Sequence, residues 1–200
     1  MTELKENKVT EPKVDDIKAA AEELGCPVLK AKYYVTEFLA GPMCGKCLPC
    51  ALGSYEAKVR LENISEGRGR GSDIAALRRI ATEMIESSRC KKGKDTAKFI
   101  LDWMTTDVYE EHVRGRCPDR KCAAFIEYRI VPEKCTMCGL CRDACRYEAV
   151  LGEKRKPYLS GYRPFEIRQL KCTKCDDCRK VCPTGAVVIV EVKKEEPVAV

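Results

Sequence analysis

Aromatic residues are scarce in this 200-residue chain, which holds one tryptophan, eight tyrosines and four phenylalanines, 6% of the whole. Single strands of nucleic acid are gripped by stacking on aromatic rings, and readers of duplex DNA present a recognition helix beside their metal ligands. Neither pattern is present, so a zinc-bearing nucleic-acid or regulatory module is the weaker alternative and no nucleic-acid partner is expected. There is one histidine, His112, and no catalytic triad or acid-base pair is legible. Any catalysis is therefore expected to belong to a partner. No apolar run approaches the roughly 20 residues of a membrane helix. The longest C-terminal stretch, Ala186 to Val190, suits a short buried strand. The opening Met1-Thr2-Glu3-Leu4-Lys5-Glu6 has neither an apolar core nor a small-residue cleavage site, so a cytoplasmic location without membrane insertion is expected.

What the chain has in excess is cysteine, fifteen in all. That many thiols serve either as disulfide staples or as metal ligands. A disulfide framework needs an oxidising compartment, so metal binding leads. The formal charge of +6 at first suggests an acidic partner, but a cubane held by four thiolates carries about −2 when oxidised, and three of them bring the total to roughly zero. A residual basic stripe remains at Lys154, Arg155, Lys156, Arg163 and Arg168.

Residues 1 to 13 and 193 to 200 are polar or charged and read as mobile tails. Between them the pattern predicts an α+β chain with a helical domain over 14 to 108, a joint over 109 to 124 and a second domain over 125 to 192. In the first, Ser72 or Asp73 is expected to cap a helix in which Ile74, Leu77, Ala81, Met84 and Ile85 recur at helical spacing and which ends near Cys90. A further helix is expected from Asp95, burying Phe99, Trp103 and Met104. Gly67 to Gly71 reads as a basic loop, since it lacks the strand and helix that frame a phosphate-binding turn. In the second domain, short strands are expected at Phe125 to Val131, Ala149 to Leu151 and Val187 to Val190. Neither domain is large enough to rely on apolar burial alone, so metal binding and folding should be coupled.

Cys135, Cys138, Cys141 and Cys145 are spaced C-x2-C-x2-C-x3-C, and Cys172, Cys175, Cys178 and Cys182 repeat the spacing with Pro183 following. This is the run of bacterial two-cluster ferredoxins, in which three close thiolates wrap one cubane and the fourth reaches the other. One cluster is therefore expected on Cys135, Cys138, Cys141 and Cys182, and another on Cys172, Cys175, Cys178 and Cys145. A pair of structural zinc sites would need only two C-x2-C pairs each and suits the triplets less well. The first repeat ends Cys145-Arg146, where such ferredoxins usually have Cys-Pro; Arg146 sets a positive charge beside a ligand.

Cys44-Gly45-Lys46-Cys47-Leu48-Pro49-Cys50, followed by Cys90, supplies another three-plus-one thiolate set. With Gly53, the glycine-broken loop, Asp73 and Gly93, these residues resemble the cluster domain that ends the flavin subunit of complex I. The stretch Tyr109-Glu110-Glu111-His112-Val113-Arg114-Gly115-Arg116-Cys117-Pro118, then Cys122 and the ferredoxin repeats, is similar to the beta subunit of multimeric, NAD-linked, electron-bifurcating iron hydrogenases. The resemblance implies a helical [4Fe-4S] domain joined to a two-cluster ferredoxin-like domain. It also implies a [4Fe-4S] cluster on Cys44, Cys47, Cys50 and Cys90 that exchanges electrons with a flavin. In that family a flavin and NADH domain precedes the first cysteine run, and 43 residues precede it here. The expectation is an electron-transfer subunit whose partners are a flavin/NAD(P)-binding subunit and a terminal oxidoreductase, a hydrogenase or another low-potential enzyme. Ala51-Leu52 replaces the Arg-Glu usual in complex I.

Cys26, Cys117 and Cys122 remain, with His112 nearby. Their types suit a structural zinc locking the joint. The competing reading makes Cys26 a buried apolar-like thiol and His112 an exposed helix residue.

Overall fold

The computed structural model describes residues 13–155 and 164–192. The expected tails lie outside those residues apart from Lys13, as do Lys156 and Arg163 of the basic stripe. The chain is α+β and divides into two compact units between Arg114 and Gly115. That division falls within the stretch expected as a joint, whose first residues belong to a helix of the N-terminal unit.

The N-terminal unit is helical: α1 (Val14–Glu22), α2 (Pro27–Ala40), α3 (Leu48–Ser65), α4 (Gly71–Ser87), α5 (Lys91–Trp103) and α6 (Val108–Val113). Three helices start from a cysteine in extended conformation: Cys26 before α2, Cys47 before α3 and Cys90 before α5. Pro27 and Pro49 stand in the first turns that follow, where the missing N–H costs no helical bond. Helix α2 packs on α1, α3 and α5, and α4 on α3 and α5. Tyr34 stacks on Phe99 with ring centroids 4.3 Å apart, joined by Ile17 and Ala21. Each such ring taken fully from water contributes about 2 kcal/mol.

Two local expectations need correction. Asp73 is not the residue before α4 but lies within its first turn; its Oδ2 accepts the Arg70 N–H at 2.8 Å, so it caps the helix from inside. Leu77, Ala81 and Met84 are buried while Ile74 and Ile85 are half-buried, and the helix stops at Ser87 so that Ser88 and Arg89 can turn into Cys90. Helix α5 begins four residues before Asp95, at Lys91, directly after Cys90 in extended conformation. Phe99 and Met104 are buried; Trp103 is half-buried, with the Lys30 ammonium 3.9 Å from its ring centre.

The C-terminal unit holds β1 (Ile126–Ile130), α7 (Leu140–Asp143), β2 (Val150–Leu151), β3 (Glu166–Ile167), α8 (Asp177–Lys180) and β4 (Val187–Glu191), with 3-10 turns at Ala123–Phe125 and Pro132–Lys134. β1 pairs antiparallel with β4, Ile126 facing Glu191 and Ile130 facing Val187. β2 pairs antiparallel with β3, Val150 facing Ile167. The internal repeat is therefore strand, cysteine triplet with a short helix, fourth cysteine, strand, written twice. Each strand pairs with one from the other copy. The first two expected strands are present in shortened form, the third runs one residue further to Glu191, and β3 is an addition. Ile126, Tyr128, Val150, Phe165, Ile167 and Val187 form the core with Cys141 and Cys178.

Candidate metal centres

The exchange of strands decides where the eight ferredoxin-type cysteines go. β2 begins five residues after Cys145 and is paired to β3, which ends five residues before Cys172; β4 begins five after Cys182 and is paired to β1, which ends five before Cys135. Each fourth cysteine is thereby carried to the other copy's triplet. One cavity is lined by Cys135, Cys138, Cys141 and Cys182, with Ile130, Phe165 and Val187 among its walls. A second is lined by Cys172, Cys175, Cys178 and Cys145, with Tyr128, Val150 and Ile167. The electrostatics follow the same grouping. Burial pushes the Cys178 thiol up to about 12, reinforced by Cys172, Cys175, Cys141 and Cys145. Burial also raises Cys141, with Cys135, Cys138 and Cys182 adding to it. Burial acts to raise Cys182 too, but N–H groups of Val187, Thr184 and Ala186 and the Thr184 hydroxyl outweigh it and leave that thiol below its ordinary value.

Both triplet loops turn through left-handed residues at the same two places: Met137 and Gly139 in the first, Lys174 and Asp176 in the second. Gly139 has φ +82°, and a Cβ there would stand 2.5 Å from the Lys154 side chain. The second loop manages with Asp176 at φ +71°, tied down by its own hydrogen bonds. Cavities with four thiols, of which the innermost is held protonated by burial and by its neighbours, fit a cation-rich group that neutralises thiolates.

In the N-terminal unit, Cys44 and Cys90 are exposed, Cys47 is half-buried and Cys50 is buried. Burial, with Cys47, Cys90 and Cys44 adding to it, lifts the Cys50 thiol to about 11, so the structure brings these four together. Cys47 is lowered chiefly by the Arg89 backbone N–H, then by that of Cys50. Because Cys47 and Cys90 are the residues before α3 and α5, the four thiols gather at two helix N-termini, whose dipoles favour negative charge. Gly93 lies against them: a Cβ there would sit 3.0 Å from Cys50 Sγ and 2.9 Å from Ser88 Oγ.

Residues 30–113 match the NADH-ubiquinone oxidoreductase-F iron-sulfur binding region, and residues 134–186 match a 4Fe-4S dicluster domain. The chain joins an F-type iron-sulfur binding region to a 4Fe-4S dicluster domain. It is 35% identical over 140 residues, 68% of its length, to the NADP-reducing hydrogenase subunit HndC of Solidesulfovibrio fructosivorans, and covers 28% of that protein. To the F-type subunit of the NADH-quinone oxidoreductase of Streptomyces coelicolor it is 38% identical over 100 residues, 48% of this chain and 22% of the relative. To the NADP(+)-dependent formate dehydrogenase subunit beta of Moorella thermoacetica it is 35% identical over 106 residues, 53% of this chain and 13% of the relative. The chain thus spans less than a third of the length of these relatives. It is an iron-sulfur electron-transfer protein related to subunits of hydrogenase, NADH-quinone oxidoreductase and formate dehydrogenase complexes. Among the described residues no helix is long and apolar enough to cross a membrane.

The remaining cysteines are buried. In the N-terminal unit Cys26 Sγ lies 3.5 Å from His112 Nε2, and His112 Nδ1 lies 2.7 Å from the Val108 carbonyl oxygen. A bond at Nδ1 turns Nε2 toward the thiol. His112 is only 1% exposed, which corrects the reading of it as a surface residue. In the C-terminal unit Cys117 and Cys122 are both buried, their sulfurs within 4.8 Å of each other. Sequence patterns miss several neighbours of the thiols: Tyr128, Phe165 and Thr184 in the C-terminal unit, and Ser54 and Ser88 beside Cys50.

Proposed function

We propose that the chain relays electrons through three [4Fe-4S] clusters, held by Cys44, Cys47, Cys50 and Cys90, by Cys135, Cys138, Cys141 and Cys182, and by Cys172, Cys175, Cys178 and Cys145. The observation that carries this reading is the crossed lining of the two cavities, three thiols from one repeat and the fourth from the other in both. When bound, a cubane supplies one-electron exchange. The chain's part is to hold the thiolates, exclude water from the innermost ones with Ile130, Phe165, Val150 and Ile167, and bias the potential through N–H donors and helix termini. Cys178 feels both Cys141 and Cys145, so the two sites of the C-terminal unit are close neighbours, as a relay requires.

The partners this reading assigns are a flavin/NAD(P)-binding subunit on one side and a terminal oxidoreductase on the other. The relatives support it, being named as subunits of an NADP-reducing hydrogenase, an NADH-quinone oxidoreductase and an NADP(+)-dependent formate dehydrogenase. Electron bifurcation by the assembled complex belongs to the same reading. Fifteen cysteines without a disulfide suit a reducing, cytoplasmic compartment.

We also propose one structural zinc on Cys26, His112, Cys117 and Cys122. The supporting features are four buried donors of the types zinc prefers and a histidine whose second nitrogen is oriented by a backbone carbonyl.

Anaerobic purification tests both. About twelve iron, twelve acid-labile sulfide and one zinc per chain are expected. Cys182→Ala should damage the cluster of the first triplet and spare that of its own; loss confined to its own triplet's cluster would reject the crossed assignment. Copurification of the native complex, with flavin quantified, identifies the partners.

A further inference from the structure

Two serine hydroxyls in the N-terminal unit are buried without a hydrogen bond. Ser54 is 0% exposed and Ser88 is 4% exposed, and neither Oγ has a partner. A buried hydroxyl left unpaired costs on the order of 1 to 3 kcal/mol, so two in one place call for an explanation. Both are placed in the neighbourhood of Cys50. Ser54 follows Cys50 by one helical turn on α3, which puts the two side chains on one face. Ser88 Oγ and Cys50 Sγ flank the one spot that a Cβ on Gly93 would fill, 2.9 Å and 3.0 Å from it. Gly93 itself is buried.

We propose that Ser54 and Ser88 are a pair of hydroxyl donors aimed at the cluster sulfurs around Cys50, and that together they raise the reduction potential of the N-terminal cluster. This rests on the reading that Cys44, Cys47, Cys50 and Cys90 hold a cubane. Each hydroxyl has one proton to give and, among the described residues, no protein acceptor for it. A thiolate or bridging sulfide accepts such a proton, and accepts it more strongly once an added electron has made the cluster more negative. The bonds therefore stabilise the reduced state more than the oxidised one. Gly93 has no side chain to stand between Ser88 Oγ and Cys50 Sγ.

The measurement is an EPR-monitored redox titration of the full chain, purified anaerobically, for wild type, Ser54→Ala, Ser88→Ala and the double variant. The expected result is a downward shift of one of the three potentials, larger in the double variant than in either single one, with the two potentials of the C-terminal unit unmoved. Ser88→Thr, which keeps the hydroxyl, should restore most of the shift. An unmoved potential in the double variant at full iron content overturns the proposal. Should the double variant lose its cluster, wild-type protein exchanged into D2O decides: pulsed EPR should find exchangeable deuterons coupled to the N-terminal cluster, and finding none overturns the proposal. Failure of the underlying reading looks different, since wild type would then hold about eight irons rather than twelve and show two clusters only.

Discussion

The Tyr128 hydroxyl donates to Asp176 Oδ1 at 2.7 Å, which fastens the second cysteine loop to strand β1. Asp176 stands where the first repeat has Gly139, in a left-handed conformation that costs a side-chain-bearing residue about 1 to 2 kcal/mol. Arg179 closes the other side, donating from Nε and Nη2 to the two carboxylate oxygens at 2.6 Å each, and it is the main cause of the low Asp176 pKa. The second repeat thus holds by polar bonds a turn that the first holds by lacking a side chain.

This relation predicts an order of stabilities. Asp176→Gly removes the bonds and also the left-handed penalty; Asp176→Ala removes only the bonds. The alanine variant should unfold at lower denaturant than the glycine variant, by about 1 kcal/mol. Urea titration of the anaerobic protein followed by circular dichroism measures it, and equal midpoints would mean that the turn relaxes away from φ +71°.

Asp73 should matter more than its place in a helix suggests. Its Oδ1 accepts from Arg60 Nη1 at 2.7 Å while its Oδ2 accepts the Arg70 N–H, and Arg60 also reaches Glu56 at 2.5 Å. Asp73→Ala leaves Arg60 with one exposed partner and α4 without its cap, so a loss of about 2 to 3 kcal/mol is expected. Asp73→Asn keeps the cap acceptor and should lose less. Unfolding midpoints of the two variants give the comparison.

How far this arrangement can be read from the sequence depends on how local each cause is. Cys135 to Cys145 and Cys172 to Cys182 are readable because ligand wrapping is a matter of spacing within eleven residues. The crossed grouping of Cys145 and Cys182 is expected from the same spacing, but the strand β3 that accompanies it is only Glu166–Ile167, too short to show a period. The offset between β1 and Cys135, applied to Cys172, is the signal that would have found it. Asp73 looks like a residue before the helix because a capping carboxylate can act from either side of the first turn. Trp103 is half-buried because it ends α5 at the edge of the Tyr34 and Phe99 core, which helical spacing alone does not reveal. Ser54 stands one helical turn after Cys50, a relation that shows only once α3 is known to run through both, and Ser88 is brought near by the turn between α4 and α5, which carries no pattern of its own.

Arg146 gives a redox prediction. It is exposed and follows Cys145, a ligand proposed for the cluster of the second triplet. A positive charge near a cluster favours its reduced form, and at an exposed site the effect is worth about 0.5 kcal/mol, or ~20 mV for one electron. Arg146→Ala should lower that one potential by this amount at low ionic strength, and the difference should shrink as salt is added. A redox titration at two salt concentrations checks both statements, and an upward shift would contradict the sign.

Gly93→Ala separates the needs of the helix from those of the site. Gly93 lies in the first turn of α5 with ordinary helical backbone, so alanine meets no conformational obstacle there and improves helix propensity by up to about 1 kcal/mol. The added methyl nevertheless lands 3.0 Å from Cys50 Sγ and 2.9 Å from Ser88 Oγ, closer than carbon approaches either atom. Neither neighbour can retreat readily, because Cys50 and Ser88 are both buried. In the metal-free state the variant should match the helical circular dichroism of metal-free wild type, while losing the N-terminal cluster on reconstitution, with iron falling by about one third. Full iron content together with an unchanged EPR spectrum would mean that α5 shifts to accommodate the methyl. Loss of helix along with iron would mean that Gly93 serves the packing of α5 on α4 and not the thiolates.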